Sequence, residues 1–360
     1  MTSSTTTAKR KGSLLKRLPT GDGLLLAALG VLILLPFLLA LAYGQPFSEV
    51  WASDSGNAKF IQGLMIEVFI LGIYALSYDL ILGITGLLSF GHAMFFAVGA
   101  YATGIALKTL GWSFFPTLLM VIFVGIVQAL LFGLVLPRVE GITFALVTLG
   151  FASVFEIVIR TREAVDYTGA DVGLQGIPRP DFLNPVSERL RFYYVALFAM
   201  VFAYMVFRRF VNSPTGRVCV AIRENEDRAK MLGYNTFTFK LAALVLASVT
   251  AALAGMLHTL YKPLVSPEIA GLGYTVDALL MILIGGIGTL SGALAGAGVF
   301  RLLDFYFSKW FGESAGFLIG AVYVAIVLFL PYGIVGTWRS KSVNWTRGWA
   351  RIRGLFGGKG

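Results

Sequence analysis

Long apolar runs recur along almost the whole chain, separated by short stretches rich in glycine, proline or charge. A helix needs roughly 20 apolar residues to cross the hydrocarbon core of a bilayer, and most of these runs approach that length. The pattern therefore predicts an all-α fold, a polytopic transmembrane helical bundle of about ten spans. The predicted spans cover residues 24–43, 60–82, 90–110, 114–136, 142–159, 192–207, 239–261, 274–285, 290–307 and 317–330. The eighth run is short, and both a continuous span and a broken or re-entrant segment are compatible with it.

Basic residues without acidic neighbours mark both ends of the chain. Residues 1–20 and 338–360 contain lysine and arginine but no aspartate or glutamate. Because cytoplasmic segments beside membrane spans are enriched in these residues, we predict that both termini are cytoplasmic, which requires an even number of spans. The expected regions are a basic cytoplasmic N-terminal tail (1–22), a transmembrane domain (23–336) with a cytoplasmic loop (208–240) and a long external loop (160–191), and a basic cytoplasmic C-terminal tail (337–360).

The composition excludes several classes of function. Of the residues, 57% are hydrophobic and 13% are charged, a balance that does not suit an ordinary soluble domain. The net charge of +10 comes from basic residues beside apolar runs, so it indicates membrane orientation and no nucleic-acid partner. A single cysteine and two histidines exclude an intrachain disulfide, a cysteine cluster and a multi-histidine site, so we expect no metal.

The loop at residues 208–240 contains the most informative segment of the sequence. After a turn at residues 213–216, the pattern predicts one helix from Arg217 to Leu232, ended by Gly233. Charged side chains are frequent in this helix, but apolar residues fall at helical spacing on one face. These apolar residues are Val218, Ile222, Ala229 and Leu232.

Two ion pairs are expected to hold this predicted helix outside the membrane. Glu224 with Arg228 and Glu226 with Lys230 have the favourable i,i+4 order, and each pair is worth roughly 0.2–0.5 kcal/mol. The helix could dock onto a cytoplasmic partner or lie on the bilayer surface. Its balanced acids and bases favour docking, because helices that lie on a membrane are usually strongly basic.

Several motifs resemble one family of membrane proteins. The loop sequence at residues 220–229 and 232–235 resembles the ATPase-coupling loop of LivM-type permeases, the membrane subunits of branched-chain amino acid ABC importers. Residues 78–80, 86–93, 99–101 and 285–290 are also similar to this family, and the resemblance extends over residues 60–335. On this resemblance the ATPase-coupling helix comprises Arg217, Ala221, Arg223, Glu224, Asn225, Glu226, Arg228, Ala229, Leu232 and Gly233.

The resemblance implies a function and a set of partners. The chain would be the permease subunit that moves branched-chain amino acids or similar small polar solutes into the cell, as a multi-pass protein of the bacterial inner membrane. The implied partners are a second homologous permease, two cytoplasmic ATP-binding subunits and an extracytoplasmic solute-binding protein. The sequence itself lacks the phosphate-binding motif G-x-x-x-x-G-K-[ST], so ATP and Mg would belong to the partner ATPases. We therefore expect no cofactor in this chain and no enzymatic activity of its own.

Polar residues inside the apolar runs indicate where a solute could pass. Glu67 lies centrally in the second run, where a charge is costly, so it should line a cavity or meet another helix. Tyr78 lies on roughly the same face of that run as Glu67 and joins it in the candidate translocation path. Ser89 and His92 complete the path, because interrupted backbone beside the third span could offer free N–H groups to a carboxylate; a hydrogen-bonded structural role is the alternative for His92. Glu156 and Arg160, and likewise Arg301 and Asp304, are spaced to neutralise each other on a helix.

Two glycine-rich turns share a pattern. Residues 83–89 and 285–291 both follow G-x-x-G-x-L-S, which suggests an internal repeat, although two glycine-rich turns can also agree by chance. Interrupted helices in corresponding positions are a common feature of transporters. The glycines of these turns and their flank are Gly83, Gly86, Gly91, Gly285, Gly286 and Gly288.

Three other functions stay open at this point. Urea and short-amide ABC permeases share the loop motif. An ion-coupled secondary transporter would use Glu67, Asp79 and Asp277 as proton or sodium sites, although the two aspartates lie near span ends, where a capping or interface role is also available. A membrane-embedded transferase would need a cluster of Asp, His or Arg on one face, and none is visible. The loop helix favours the ABC permease, since a secondary transporter needs no ATPase dock.

Overall fold

The structure is a computed structural model that describes residues 20–44, 57–136, 139, 141–330 and 332–340. The two predicted basic tails lie largely outside these ranges. The described chain is almost entirely helical. The helices are α1 (Thr20–Ala42), α2 (Asn57–Tyr78), α3 (Ala93–Gly104), α4 (Phe114–Gly133), α5 (Gly141–Arg160), α6 (Arg189–Asn212), α7 (Pro214–Glu224), α8 (Glu226–Met231), α9 (Thr236–Tyr261), α10 (Leu272–Gly285), α11 (Leu290–Phe311), α12 (Ala315–Phe329) and α13 (Gly333–Ser340).

Shorter elements complete the fold. Two π-helical segments, Asp79–Ile84 and Ile105–Thr109, directly extend α2 and α3. Two short strands, β1 (Leu174–Gln175) and β2 (Leu264–Val265), pair antiparallel. A helical turn at Val165–Thr168 and 3-10 turns at Arg162–Ala164, Ala170–Val172, Asp181–Leu183, Pro267–Ala270 and Gly312–Ser314 shape the remaining connections.

The prediction of a helical membrane bundle is confirmed. Ten apolar helices, α1 to α6 and α9 to α12, lie at the positions of the ten predicted runs. Within the described residues, six helices are both long and apolar enough to cross a membrane, namely Lys59–Ile84, Phe114–Gly133, Gly141–Arg160, Arg189–Asn212, Thr236–Tyr261 and Leu290–Phe311. The apolar segments of the other four are shorter, namely Leu26–Ala42, Ala93–Thr109, Leu272–Gly285 and Ala315–Ile326. Helix α10 is uninterrupted and ends at Gly285, because Gly286 adopts φ +118°. The number of spans stays a prediction.

Small residues bring the central helices into backbone contact. Helix α2 packs against α6, α9 and α11, while α9 packs along α3 and α4. Gly99 on α3 and Gly255 on α9 have no room for a side chain, because an added methyl group would meet the carbonyl oxygens of Ala252 and Phe96. In a bilayer, apolar side chains gain little by leaving lipid for a helix contact. Close packing of this kind is therefore a main cause of helix association there.

The connections between helices gather at two opposite ends of the bundle. At one end, which we call the ribbon end, β1 pairs with β2, Lys108 Nζ donates to the Gln175 carbonyl (2.7 Å), and Arg189 Nη1 donates to the Lys59 carbonyl (3.1 Å). The loop at residues 160–191, which contains β1 and Gln175, was predicted to be external. The other end, which we call the turn end, carries the two glycine-rich turns together with α7 and α8.

The single loop helix predicted from Arg217 to Leu232 is wrong. The segment forms two helices, because Asn225 is extended (φ −161°, ψ 105°) and its side chain accepts a hydrogen bond from Arg228 N (2.8 Å) at the start of α8. An asparagine in this position caps a helix by satisfying a free backbone N–H. Gly233, at φ +86°, does end the segment as predicted.

The break at Asn225 also changes the side-chain contacts. Glu226 and Lys230 form the expected ion pair (3.5 Å) within α8. The expected pair of Glu224 with Arg228 is absent among the described residues, because the break removes the helical spacing between them. For the same reason Leu232 does not continue the buried face that Ile222 and Ala229 form.

Candidate functional site

The two glycine-rich turns lie side by side at the turn end. Gly288 N donates a hydrogen bond to Asp79 Oδ1 (2.7 Å), which joins the π-helical end of α2 to the turn between α10 and α11. Gly86 and Gly288 occupy the same place in the shared sequence pattern and adopt similar left-handed conformations, with φ of +80° and +75°. Only glycine takes this conformation without a steric cost. Asp79 therefore joins two helix ends, which is the interface role considered for it from its position near a span end.

Arg223 on α7 contacts both turns. Its guanidinium donates to the Gly83 carbonyl, and a methyl group at Gly288 would lie 2.9 Å from Arg223 Nη1. A methyl group at Gly86 would lie 2.9 Å from Arg223 Cγ and 3.1 Å from its Cα. The side chain thus occupies the space that the glycines leave open, and α7 touches the ends of α2 and α10 together.

Helices α7 and α8 have one face against the bundle and one face exposed. Cys219, Ile222 and Ala229 are buried, at 0%, 4% and 2% exposure. Met231 and Leu232, by contrast, are 87% and 71% exposed at the far tip. Most predicted coupling residues are exposed as well, including Arg217, Ala221, Arg223, Glu224 and Arg228. The helix pair is anchored to the bundle but presents apolar and charged side chains outward.

A second candidate site is a charged cavity of about 420 Å³ between α2, α9, α10, α11 and α12. Glu67 lies within it and accepts hydrogen bonds and ion pairs from Arg301 (Nε at 2.6 Å) and Lys262 (Nζ at 2.9 Å). Arg301 also pairs with Asp304, as predicted, but that pair is part of this larger network. Glu67 thus has both of the roles left open for it, a contact with other helices and a place in a cavity. The lining residues include Glu67, Ile70, Leu71, His258, Lys262, Tyr274, Asp277, Leu280, Met281, Phe300, Arg301, Asp304, Ile319, Gly316 and Gly320.

The other three path candidates meet in a separate buried cluster. The Tyr78 hydroxyl donates to the Ser89 carbonyl (3.0 Å), and Ser77 Oγ shares a hydrogen bond of 2.8 Å with His92 Nε2. Ser89 and His92 are 1% and 0% exposed. The ring of Tyr74 stacks on His92, and its hydroxyl donates to the Tyr274 carbonyl beside the cavity (3.2 Å). The structure therefore brings Tyr78, Ser89 and His92 together and places Glu67 apart from them.

Comparison with known proteins identifies the family. Residues 60–328 match the family described as the permease component of branched-chain amino acid transport systems. This match covers well over half of the chain. The chain belongs to this permease family.

Individual members of the permease family are similar over most of their length. The high-affinity branched-chain amino acid transport system permease protein LivM of Salmonella typhimurium is 26% identical over 322 residues, which are 83% of this chain and 73% of the relative. LivM of Escherichia coli K12 has the same identity and coverage. The permease protein LivH of Salmonella typhimurium is 25% identical over 300 residues, or 77% of this chain and 96% of the relative. The chain is therefore similar to two different permease proteins of such systems.

Long-range partners of charged residues in this family member were missed by sequence reasoning. Arg160 forms the expected pair with Glu156 (2.9 Å) but also binds Asp171 (3.0 Å) in the long loop. Lys262 binds Glu67 from a distant part of the chain, and Lys240 binds Glu226 from 14 positions further along. The sequence offered only one signal for these contacts, the charge of each residue. An acid near a membrane span needs a cationic partner, but charge does not determine which lysine or arginine is that partner.

The pH dependence of the α8 anchor can be predicted from Glu226. Partial burial tends to raise the pKa of its carboxyl, but hydrogen bonds and charge from Lys240, with a further hydrogen bond from Thr236, outweigh this and hold the pKa below its usual value. A depressed folded pKa means that the stabilisation is complete above the unfolded pKa, roughly 4.3, and is lost as the pH falls through the folded value. We expect Glu226→Gln to raise amide hydrogen exchange in residues 226–236 at pH 7.

The control and the acid limit complete this prediction. Asp227→Asn should raise the exchange rates much less, because the ion pair of Asp227 with Lys230 (3.8 Å) joins two exposed side chains, and exposed pairs contribute little. The exchange rates of the wild-type protein and Glu226→Gln should converge as the pH falls through the lowered folded pKa of Glu226, because the carboxyl is then protonated in both states. Equal exchange at pH 7 would show that the contact between Glu226 and Lys240 does not hold α8 in place.

Proposed function

We propose that this chain is the membrane-spanning permease subunit of an ABC importer that moves branched-chain amino acids or similar small polar solutes into the cell. The observation that carries the proposal is the exposed apolar tip of a well-anchored helix pair. Met231 and Leu232 lie outside the predicted spans, where exposed apolar side chains on a fixed element are typical of a protein interface. An ATPase subunit docked on this tip would cover them.

The expected partners follow from this assignment. They are a second homologous permease, two cytoplasmic ATP-binding subunits that hold ATP and Mg, and an extracytoplasmic solute-binding protein. Similarity to both LivM and LivH supports pairing of two related permeases. In the bacterial inner membrane, the turn end would face the cytoplasm together with both basic tails and the 208–240 loop, while the ribbon end would face the binding protein.

The contacts of Arg223 suggest how a push on α7 and α8 would reach the helices. Movement of the docked ATPase would shift α7, which is fixed to the bundle through Cys219 and Ile222. Arg223 would carry that shift to the Gly83 turn, and the hydrogen bond between Gly288 and Asp79 would couple the second turn to the first. Rigid helices that pivot at such junctions are a common basis of alternating access.

Reconstitution tests the proposal. The chain would be purified with its co-expressed partners, placed in proteoliposomes with its binding protein, and assayed for uptake of radiolabelled leucine. We expect uptake to require ATP on the side of the membrane where the ATPases lie. Replacing the phosphate-binding lysine of the ATPase should abolish uptake. Uptake driven by a proton or sodium gradient without ATP would overturn the proposal. Competition by excess isoleucine, urea and acetamide in the same assay would assign the solute class.

A further inference from the structure

The charged cavity has an uneven distribution of polarity along the bundle axis. Helices α2 and α10 both run from the ribbon end to the turn end, and each carries an acid one helical turn before apolar lining residues. On α2, Glu67 precedes Ile70 and Leu71, and on α10, Asp277 precedes Leu280 and Met281. The cavity is therefore charged toward the ribbon end and apolar toward the centre.

The charged part of the cavity offers unused binding capacity of both signs. Lys262 has three N–H donors, one of which contacts Glu67, and its side chain is 47% exposed. Asp277 lines the same cavity, and its carboxylate forms no hydrogen bond or ion pair with any residue in the described part of the chain. Glu67 and Asp304 both bind Arg301, which lines the same cavity. The ammonium group of Lys262 and the carboxylate of Asp277 thus line the same cavity, the first as a hydrogen-bond donor and the second as an acceptor.

We propose that this cavity binds a zwitterionic amino acid, with its ammonium group at Asp277, its carboxylate at Lys262 and Arg301, and its aliphatic side chain against Ile70, Leu280 and Met281. A volume of about 420 Å³ falls within the roughly 300–1,000 Å³ that is typical of small-molecule sites. The inference rests on the proposed function and deepens it, because it assigns a solute subsite within the membrane subunit itself. A zwitterionic lipid headgroup has the same pair of charges, so the test must separate the two sources.

A cysteine reporter in the cavity wall provides the test. Gly320 lines the cavity, and a side chain added there would meet no atom within 4 Å. The single native cysteine, Cys219, is 0% exposed and burial raises the pKa of its thiol to about 11, so it contributes little background reaction. The purified full importer carrying Gly320→Cys would be placed in nanodiscs and modified with a charged methanethiosulfonate. The reaction rate would be measured with and without leucine.

We expect saturating leucine to slow modification at least about fivefold by mass action, whereas leucinamide and isocaproate, which each lack one charged group, should not. Adding Asp277→Asn or Lys262→Gln to the reporter should remove the protection. Val186→Cys, at a 66% exposed site near the ribbon end, should react at the same rate with or without leucine. If Gly320→Cys fails to assemble, Gly316→Cys replaces it, because that position also lines the cavity and has open space.

The outcomes separate this inference from the proposed function. Unchanged reactivity in an importer that takes up leucine with ATP would overturn the cavity assignment and leave the function intact. Protection in a protein that shows no ATP-driven uptake would retain the cavity and overturn the importer. Protection by phosphatidylethanolamine in the nanodisc but not by leucine would assign the site to a lipid headgroup and overturn the proposal. Protection that persists in Asp277→Asn would overturn the role of Asp277.

Discussion

Leu232→Glu should abolish most ATP-driven uptake while leaving the membrane bundle folded. The side chain is 71% exposed in the isolated chain, so a carboxylate there disturbs no internal packing. In the assembled importer, however, that carboxylate would be buried against the ATPase. Loss of a central contact in a protein interface costs about 2–4 kcal/mol, which predicts a fall in uptake on the order of 30-fold or more. Met231→Lys should act in the same direction.

Uptake by reconstituted importer and co-purification of the ATPase would check this result. Val186→Glu is the matched control, because Val186 is also apolar and 66% exposed but lies in the loop at the ribbon end. It should assemble with the ATPase as the wild-type chain does. Full uptake by both Leu232→Glu and Met231→Lys would show that the tip of α8 does not form the docking surface.

Gly296→Ala should strongly destabilise the bundle, whereas Gly298→Ala on the same helix should not. A methyl group at Gly296 would collide with the Met281 carbonyl oxygen and lie 2.9 Å from Gly285 N, both of which are backbone atoms of α10. Overpacking typically costs 1–3 kcal/mol, and we expect about 3 kcal/mol here because backbone cannot rotate away. At Gly298 the methyl group would lie 3.7 Å from Val68 Cγ1, an ordinary contact.

The measurement is the fraction of monodisperse protein that remains after heating in detergent, compared for both variants and the wild-type chain. Gly298→Ala should match the wild type or exceed it slightly, since alanine favours the helix over glycine. Equal thermal stability of the two variants would mean that α10 and α11 do not approach each other as closely as the structure shows.

Sequence reasoning located the helices well because the length of an apolar run is a local property. The predicted run at 142–159, for example, corresponds to α5 at Gly141–Arg160. The π-helical end of α2 was not predicted. The π-helical hydrogen-bond pattern occurs where Asp79 binds Gly288, a residue more than two hundred positions away. No local sequence pattern therefore predicts it.

The break in the loop helix shows a local signal that was misread. Asn225 is followed by Glu226 and Asp227, which is typical of a capped helix start with acids in its first turn. Continuous helical periodicity across the same residues outweighed that signal in the prediction. The correct interpretation changes which side chains reach the tip, and it leaves Leu232 exposed instead of buried.

By itself, the sequence determined that this is a helical membrane protein, where its helices lie, and which permease family its loop motif resembles. Those features depend on run length, flanking charge and contiguous motifs, all of which act over short distances along the chain. Only the tertiary structure decided that Glu67 meets Lys262 and Arg301, that Arg223 bridges the two glycine-rich turns, and that Asp277 lines the same charged cavity as Lys262. Each of those contacts joins helices remote in sequence, and charge or periodicity alone cannot choose among the partners that packing brings within reach.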